Sequence, residues 1–160
     1  MPAEGRAPAM VPPDDRIASI RLHADAAGVR AALAQVRAAL DGLGLTPECH
    51  GDIELVVAEV LNNIVIHAYG HQPGPIDVAL TLAEGVLDCE VRDKGRPMPG
   101  LAAPPGDPAR LDLGRDAVPE GGFGWFLIRR HARCVRYARK EGMNRLSLSL
   151  PLCRAEDSAP

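Results

Sequence analysis

The segment from Thr46 to about Tyr69 constrains the fold more than any other part of this 160-residue chain. Thr46 and Pro47 suit a helix start, because threonine caps the free N–H groups and proline fits the first helical position. Apolar residues then recur at helical spacing and cover most of the circumference: Ile53, Val56, Val57, Val60, Leu61, Ile64, Val65 and Ala68. A helix that is apolar on most sides packs against more than one neighbour, so the sequence predicts a buried helix in a layered domain.

Shorter segments with alternating apolar residues predict five strands around this helix. They lie near residues 17–23, 76–82, 87–91, 135–139 and 146–150, and an alanine-rich segment at 26–40 has helical spacing. A third helix follows the glycines at 121–124. The predicted order is β-α-α-β-β-lid-α-β-β. Because the helices are separate from the antiparallel hairpins, we predict an α+β sandwich, with one mixed, mostly antiparallel sheet and the helices on one face.

The predicted organisation is a single domain at residues 16–153 between two flexible tails, 1–15 and 154–160. Within the domain, we expect a lid at about residues 94–120, because this segment is rich in residues that do not suit regular structure. Six prolines occur there, at positions 97, 99, 104, 105, 108 and 119. A long irregular segment inside a small domain is often a functional lid.

Composition excludes several classes of protein. The net charge of −3 argues against bulk electrostatic binding to nucleic acid, and 3% aromatic residues leave few rings for stacking on bases. The first residues lack the apolar run of a secretory signal, and no apolar stretch approaches the roughly 20 residues that span a bilayer, so we expect a cytoplasmic protein. The cysteines lack the spacing of a zinc site and are expected to be reduced thiols.

Glu59 and Asn63 are polar residues on the otherwise apolar second helix. Four residues correspond to about one helical turn, so the two side chains share a face, and His67 continues the row. A buried carboxylate needs a partner or a use, and an amide oxygen is a suitable ligand for Mg²⁺. Together they could activate a hydroxyl or a water molecule beside a metal–phosphate complex. The alternative is a solvent-facing polar stripe on a half-exposed helix.

Two further motifs contain glycine. Asp93 and Gly95 follow a strand, where an aspartate can accept a hydrogen bond from an exocyclic amine and a glycine lets a ring approach the backbone; a simple turn is the alternative. Gly121, Gly122 and Gly124 precede a helix, whose free N–H groups can bind an anion. A tight loop beneath the following aromatic residues is the alternative for this cluster.

As a set, these motifs resemble the nucleotide site of the GHKL ATPases. An E-x-x-x-N helix, a strand ending in DxGxP, a Pro/Gly-rich lid and a GGxGxFLI segment follow one another in the order of that superfamily's N, G1 and G2 boxes. The string AEVLNNIVIHAY at residues 58–69 is similar to the anti-sigma-factor serine kinases of the RsbW and SpoIIAB type. The resemblance covers about residues 17 to 150, and implies the GHKL, or Bergerat, ATPase sandwich.

The resemblance implies a role for each matching residue. Asn63 would hold Mg²⁺ bridging the phosphates of ATP, and Glu59 would be the general base for a serine hydroxyl of a partner protein. Asp93 would bind the adenine amino group, with Gly95 beneath the ring. Two further glycines would present N–H groups to the phosphates: Gly122 and Gly124.

The resemblance also implies protein partners. The family sequesters a sigma factor, phosphorylates a STAS-type anti-anti-sigma protein on serine, and usually forms homodimers. An arginine on the first helix contacts both partners in this family; Arg30 is the better match, and Arg37 is the alternative.

Departures from the family leave alternatives open. The family commonly has Met-Asp-Glu-Val after the last glycine motif, where this chain reads RRHARCV at residues 129–135, which bears on partner contacts more than on ATP. Asn62 lies next to Asn63, so either residue could be the asparagine of the E-x-x-x-N motif. The spacing from Glu59 favours Asn63. The alternative function is a nucleotide-dependent switch that sequesters a sigma factor without kinase activity. A histidine-kinase fragment ranks last, because the residues before Glu59 contain no dimerisation hairpin with a phosphoacceptor histidine.

Overall fold

The computed structural model describes residues 15–106 and 122–158. Five strands and three α-helices form its framework. In chain order these are β1 Arg16–His23, α1 Ala26–Asp41, α2 Pro47–Asn63, β2 Pro75–Ala83, β3 Val86–Asp93, α3 Gly122–His131, β4 Cys134–Lys140 and β5 Met143–Pro151. Shorter turns are a π-helix at Ile64–Ala68 and 3₁₀ turns at Pro99–Leu101 and Ala155–Ser158. Among the described residues, no helix is both long and apolar enough to cross a membrane.

The five strands form one sheet in the order β1-β2-β3-β5-β4, and every neighbouring pair is antiparallel. β3 is the central strand, so the predicted hairpin of β2 and β3 lies in the middle of the sheet. At the end of β3, Asp93 pairs with Ile76 on one side and with Asn144 of β5 on the other. The predicted α+β architecture is therefore confirmed, with a described sheet that is antiparallel throughout rather than mixed.

One face of the sheet is buried beneath the helices. Along β3, Leu87, Cys89 and Val91 are buried, whereas alternate residues such as Glu90 and Arg92 are partly or fully exposed. On this uncovered face Glu90 pairs with both Arg92 and Arg145. The period of two in a strand produces this separation, which puts all three helices on the apolar side.

Helix α2 packs against both α1 and α3, as its apolar circumference predicts. Val56, Val57 and Leu61 have no exposed surface, and Thr46 caps the helix by accepting a hydrogen bond from Cys49 N at 3.2 Å. Each fully buried Val or Leu side chain contributes about 1.5–3 kcal/mol of transfer free energy, so this helix is the centre of the core.

The structure differs from the sequence prediction where α2 ends. A single helix to about Tyr69 was expected, but the α-helix ends at Asn63 and a π-helical turn follows. Tyr69 N donates to Ile64 O, five residues earlier, at 2.9 Å. The Tyr69 hydroxyl explains this change, because it donates to Pro75 O at 2.6 Å and accepts from Lys94 N at 2.8 Å, which anchors the chain to β2 and β3.

Parts of the predicted lid and tails lie outside the described residues, namely 107–121, 1–14 and 159–160. The described start of the lid contains the 3₁₀ turn at Pro99–Leu101. At the other end, Arg154 bridges to Leu45, and Ala155 N donates to Gly44 O at 3.0 Å. The segment after β5 is therefore paired with the α1–α2 connection.

Candidate functional site

Helix α3 meets the polar row of α2 at Gly124. A Cβ at Gly124 would lie 2.5 Å from Glu59 Oε2 and 3.7 Å from Asn63 Nδ2. A side chain at position 124 would force the Glu59 carboxylate to move, so the first turn of α3 and the E-x-x-x-N row face each other across one small cleft. Glu59 and Asn63 are both half-buried, which is unusual for a purely solvent-facing stripe.

Asn63 contains a buried polar atom without a partner. Among the described residues, its Nδ2 is the only buried side-chain nitrogen or oxygen that makes no hydrogen bond. Leaving such a group unsatisfied costs about 1–3 kcal/mol, so the position suits a group that binds from outside. Rotating the amide by 180° exchanges Nδ2 for Oδ1, so an oxygen ligand can occupy the same place. The neighbouring Asn62 is exposed, as the spacing from Glu59 predicts.

The donor atoms fit a magnesium ion that is shared with a phosphate. A carboxylate and an amide oxygen are the hard ligands that Mg²⁺ prefers, and Mg²⁺ is usually held by one or two protein ligands together with substrate phosphates and water. Among the described residues no group of three or more His, Cys, Asp or Glu side chains forms a self-sufficient metal site.

Asp93 is a buried carboxylate at the end of β3, with 6% of its surface exposed. Its Oδ1 accepts hydrogen bonds from Gly95 N and Asn144 Nδ2, both at 2.8 Å. Burial raises the pKa of Asp93, and these two hydrogen bonds together with the charge of Arg139 oppose the rise. Both hydrogen bonds use Oδ1, so the carboxylate can offer its other oxygen, Oδ2, to the amine of a ligand.

Gly95 follows Asp93 and contacts the π-helical turn. A Cβ at Gly95 would lie 2.6 Å from both Ala68 C and Ala68 O, and Arg96 N donates to Ala68 O at 2.8 Å. A side chain at position 95 would push the backbone of this turn away. The exit of β3 and the turn after Asn63 are thus in direct contact, which joins the Asp93 region to the Asn63 region.

Sequence reasoning missed Asn144, which lies between the predicted strands at 135–139 and 146–150. Asn144 lies in β5, is 4% exposed, and its amide also donates to Arg96 O at 3.0 Å. Its Oδ1 accepts from the Tyr137 hydroxyl at 2.6 Å and from Arg139 Nη1 at 2.7 Å. The amide therefore connects Asp93 to β4 and to the entrance of the predicted lid. The only indication of this role in the sequence is that a polar residue follows directly after Gly142-Met143.

The start of α3 supplies the third part of the site. The helix begins at Gly122, the positive end of its dipole lies near Gly124, and Phe123 beside them is 47% exposed. Free N–H groups at a helix N-terminus bind anions such as phosphate. Gly121 lies outside the described residues.

The basic segment at residues 129–135 begins in the last turn of α3, where one arginine contacts the protein itself. Arg129 is half-buried, and its guanidinium donates to Pro104 O and Ala103 O, each at 3.1 Å. The last turn of α3 thereby fixes the described entrance of the predicted lid.

The two arginines considered on α1 have different surroundings. Arg30 is exposed and forms no ion pair with the described residues. Arg37 forms a two-pronged ion pair with Glu54 of α2, with Nη2 to Oε2 at 2.8 Å. Arg37 is thus occupied within the fold.

The arrangement defines a class of protein: an α+β domain whose single site joins a buried carboxylate, a carboxylate–amide pair and a glycine-rich helix start. The sequence profile of the histidine kinase-like ATPase domain matches residues 22–150, and the chain belongs to this family. The predicted GHKL fold is therefore confirmed, and nucleotide binding is the property that the family implies.

Individual relatives agree with this assignment. The serine/threonine-protein kinase BtrW of Bordetella bronchiseptica is 35% identical over 100 residues, which are 61% of this chain and 67% of BtrW. A structure of the RsbU and RsbW domains of a Mycobacterium tuberculosis protein aligns with a TM-score of 0.59 at 22% identity, covering 86% of this chain and 33% of that one. This chain thus spans about a third of that longer protein.

The SiaB–SiaC complex of Pseudomonas aeruginosa contains a similar fold, with a TM-score of 0.58, 14% identity, and coverage of 85% of this chain and 90% of the matched chain. The expected resemblance to the RsbW-type kinases within the GHKL superfamily is confirmed by these matches in sequence and fold.

Proposed function

We propose that this chain is an anti-sigma factor with serine-protein kinase activity. In this proposal it binds ATP with Mg²⁺, sequesters a sigma factor, and phosphorylates a STAS-type anti-anti-sigma protein on serine. The observation that carries the proposal is the Glu59–Asn63 pair beneath Gly124, in which a half-buried carboxylate lies beside a buried amide atom without a partner. A carboxylate in this position suits a general base for a hydroxyl group.

In the proposed mechanism each residue has a separate task. Asp93 would accept a hydrogen bond from the exocyclic amine of adenine, with Gly95 beneath the ring. The N–H groups at Gly122 and Gly124 bind the phosphates.

The remaining tasks belong to α2. Asn63 would hold the metal ion, which would neutralise charge on the phosphates. Glu59 would accept the proton of the serine hydroxyl as its oxygen attacks the terminal phosphorus of ATP, and the bond to the bridging oxygen would break so that ADP leaves. Such catalysis depends mainly on positioning and electrostatics.

The same proposal includes the wider organisation of the protein. Residues 16–153 would be one catalytic domain with a lid at 94–120, and the described start of the predicted C-terminal tail pairs with the α1–α2 connection instead of moving freely. The protein would act in the cytoplasm, where sigma factors act, and would form a homodimer. Arg30 is the proposed partner contact on α1, because Arg37 is already paired with Glu54.

The test is phosphate transfer by the full chain and its Glu59→Ala variant. Tagged protein with Mg²⁺-ATP is added to lysate of its own cell, and co-purifying proteins and new phosphoserines are identified by mass spectrometry. We expect a sigma factor and a small antagonist that is phosphorylated by the unchanged protein. With Glu59→Ala, transfer should fall at least about 100-fold, because general base catalysis typically contributes this much.

The matched control is Glu84→Gln, which removes an exposed carboxylate at the β2–β3 turn and should leave transfer unchanged. Nucleotide affinity, measured with a fluorescent ATP analogue, should be retained in Glu59→Ala. Unchanged transfer in that variant would remove Glu59 as the base. Partners that bind but are never phosphorylated would favour the alternative, a nucleotide-dependent switch without kinase activity.

A further inference from the structure

Two of the four cysteines contact each other at the far end of α2. Cys49 lies in the first turn of this helix and is buried, while Cys153 lies just after β5 and is exposed. Cys153 N donates a hydrogen bond to Cys49 Sγ at 3.1 Å. Glu59 is ten residues further along α2, or about 15 Å at the helical rise, so this pair is separate from the proposed catalytic cleft.

The backbone geometry is suitable for a disulfide. Disulfides join residues whose Cα atoms are about 4.4–6.8 Å apart. With Cys49 Sγ at 3.1 Å from Cys153 N, ordinary bond lengths put the two Cα atoms at most about 7.4 Å apart, and only in a fully extended arrangement. A bend that shortens this path by about 0.6 Å or more brings the Cα atoms into the disulfide range.

Flanking hydrogen bonds hold the two cysteines in this position. Thr46 N donates to Cys153 O at 2.9 Å, and Leu152 N donates to Gly85 O at 3.0 Å. Arg154 then bridges to Leu45. Cys153 is therefore held between the β2–β3 turn, which Leu152 contacts, and the residues before α2, which Cys153 and Arg154 contact, so the contact does not depend on a freely moving chain end.

A small oxidant can reach both residues. They line an open cavity of about 360 Å³ between α2, α3 and the end of β5, together with Asp52 and His131. Burial raises the pKa of the Cys49 thiol, and the adjacent Cys153 thiol also raises it. The exposed Cys153 is consequently the residue that meets the oxidant first, and Cys49 is placed to react with the product.

We propose that Cys49 and Cys153 form a reversible intramolecular disulfide in the presence of a peroxide. The Cys153 thiolate attacks one peroxide oxygen, the O–O bond breaks, and hydroxide leaves and takes up a proton, which produces a sulfenic acid. The Cys49 sulfur then attacks the Cys153 sulfur, and water leaves with the proton of the Cys49 thiol. In total, two thiols and one peroxide yield one disulfide and two molecules of water, with the sulfurs oxidised and the peroxide reduced.

The experiment uses the full chain treated with hydrogen peroxide under native conditions, then unfolded, alkylated, digested and measured by mass spectrometry. We expect a linked pair of peptides containing Cys49 and Cys153, lighter by two hydrogen atoms than the two reduced peptides, and lost after dithiothreitol treatment. The matched control is Cys134→Ser, which removes a half-buried thiol of β4 and should retain the link. Cys89 should stay reduced, since burial raises its pKa to about 12.

Two single variants separate the roles of the sulfurs. In Cys49→Ser the sulfenic acid on Cys153 should persist and react with dimedone, whereas in Cys153→Ser the Cys49 thiol should remain reduced. Because Cys153 is exposed, Cys153→Ser is expected to fold normally. If Cys49→Ser fails to fold, Cys153→Ser alone tests the proposal. A wild-type protein in which Cys153 links two copies, or is oxidised further while Cys49 stays a free thiol, would overturn the proposal.

Discussion

Gly124 lies where α3 touches the carboxylate and the amide of α2, and a Cβ there would lie 2.5 Å from Glu59 Oε2 and 3.7 Å from Asn63 Nδ2. We predict that Gly124→Ala weakens ATP binding about tenfold or more, because the added methyl group fills the space beside the Asn63 amide where the proposal puts the metal ion and the phosphates. A Gly→Ala substitution inside a helix normally increases stability. If Gly124→Ala loses ATP binding but keeps a normal melting temperature, the cause of the loss lies in the cleft.

Gly51→Ala is the control for this substitution. Gly51 lies in α2, and a Cβ there would meet nothing within 4 Å. This variant should increase the free energy of unfolding by about 0.5–1 kcal/mol with unchanged ATP affinity. Equal ATP affinity in the two variants would contradict the close contact at Gly124.

The buried carboxyl of Asp93 should produce a specific pH dependence. Burial raises its pKa in the folded protein above the ordinary value of 3.8. Because the folded state holds the proton more tightly than the unfolded state, ionisation of Asp93 lowers stability as pH rises from this ordinary value through the raised one. At lower pH both states are protonated, and this contribution to stability is fully present.

Asp93→Asn removes the titration while keeping an oxygen that can accept from Asn144. Relative to the unchanged protein without nucleotide, its free energy of unfolding should therefore increase with pH across this window, as measured by urea unfolding between pH 3 and pH 7. ATP affinity of the variant should fall, since the amide no longer offers a carboxylate to the adenine amine. A stability difference that stays constant with pH would show that the carboxyl is not desolvated.

At the scale of elements, α1 presents two arginines with different expected functions. Arg30→Glu should lower phosphate transfer to the protein partner about tenfold or more, if it is a central contact, without changing ATP affinity or melting temperature. Arg37→Glu should instead lower the melting temperature, because it replaces the ion pair with Glu54 by two like charges. The reverse result would assign the partner contact to Arg37.

Periodicity located every strand and α-helix, and motif order located the residues that meet at Gly124 and Gly95. Periodicity did not locate the π-helical turn, because a change from i−4 to i−5 hydrogen bonding leaves the apolar pattern of residues 64–68 unaltered.

Asn144 and Arg129 were missed for another reason. Their partners, Asp93 and Pro104, lie 51 and 25 residues away, and a polar residue near a turn has the same sequence appearance as a buried link.

At the scale of the whole molecule, Asn144 joins β3, β4, β5 and the lid entrance in one hydrogen-bonded group. Asn144→Ala should lower the free energy of unfolding by about 2–4 kcal/mol, because it leaves several buried polar groups without partners. The control is Ser147→Ala, which alters the opposite face of the same strand and should change stability by less than about 0.5 kcal/mol. Urea unfolding of both variants measures the difference, and equal stabilities would contradict the network.

The strand order also determines when the sheet can be completed during synthesis. β5 lies between β3 and β4, so β4 leaves the ribosome before the only strand with which it pairs in the described sheet. Until β5 arrives, the central strand β3 exposes an open edge, and Asp93 lacks the amide that orients it. A nascent chain that stops at the β4–β5 turn would therefore be unable to bind nucleotide and prone to aggregate, so the synthesis of β5 is the step that makes this domain competent.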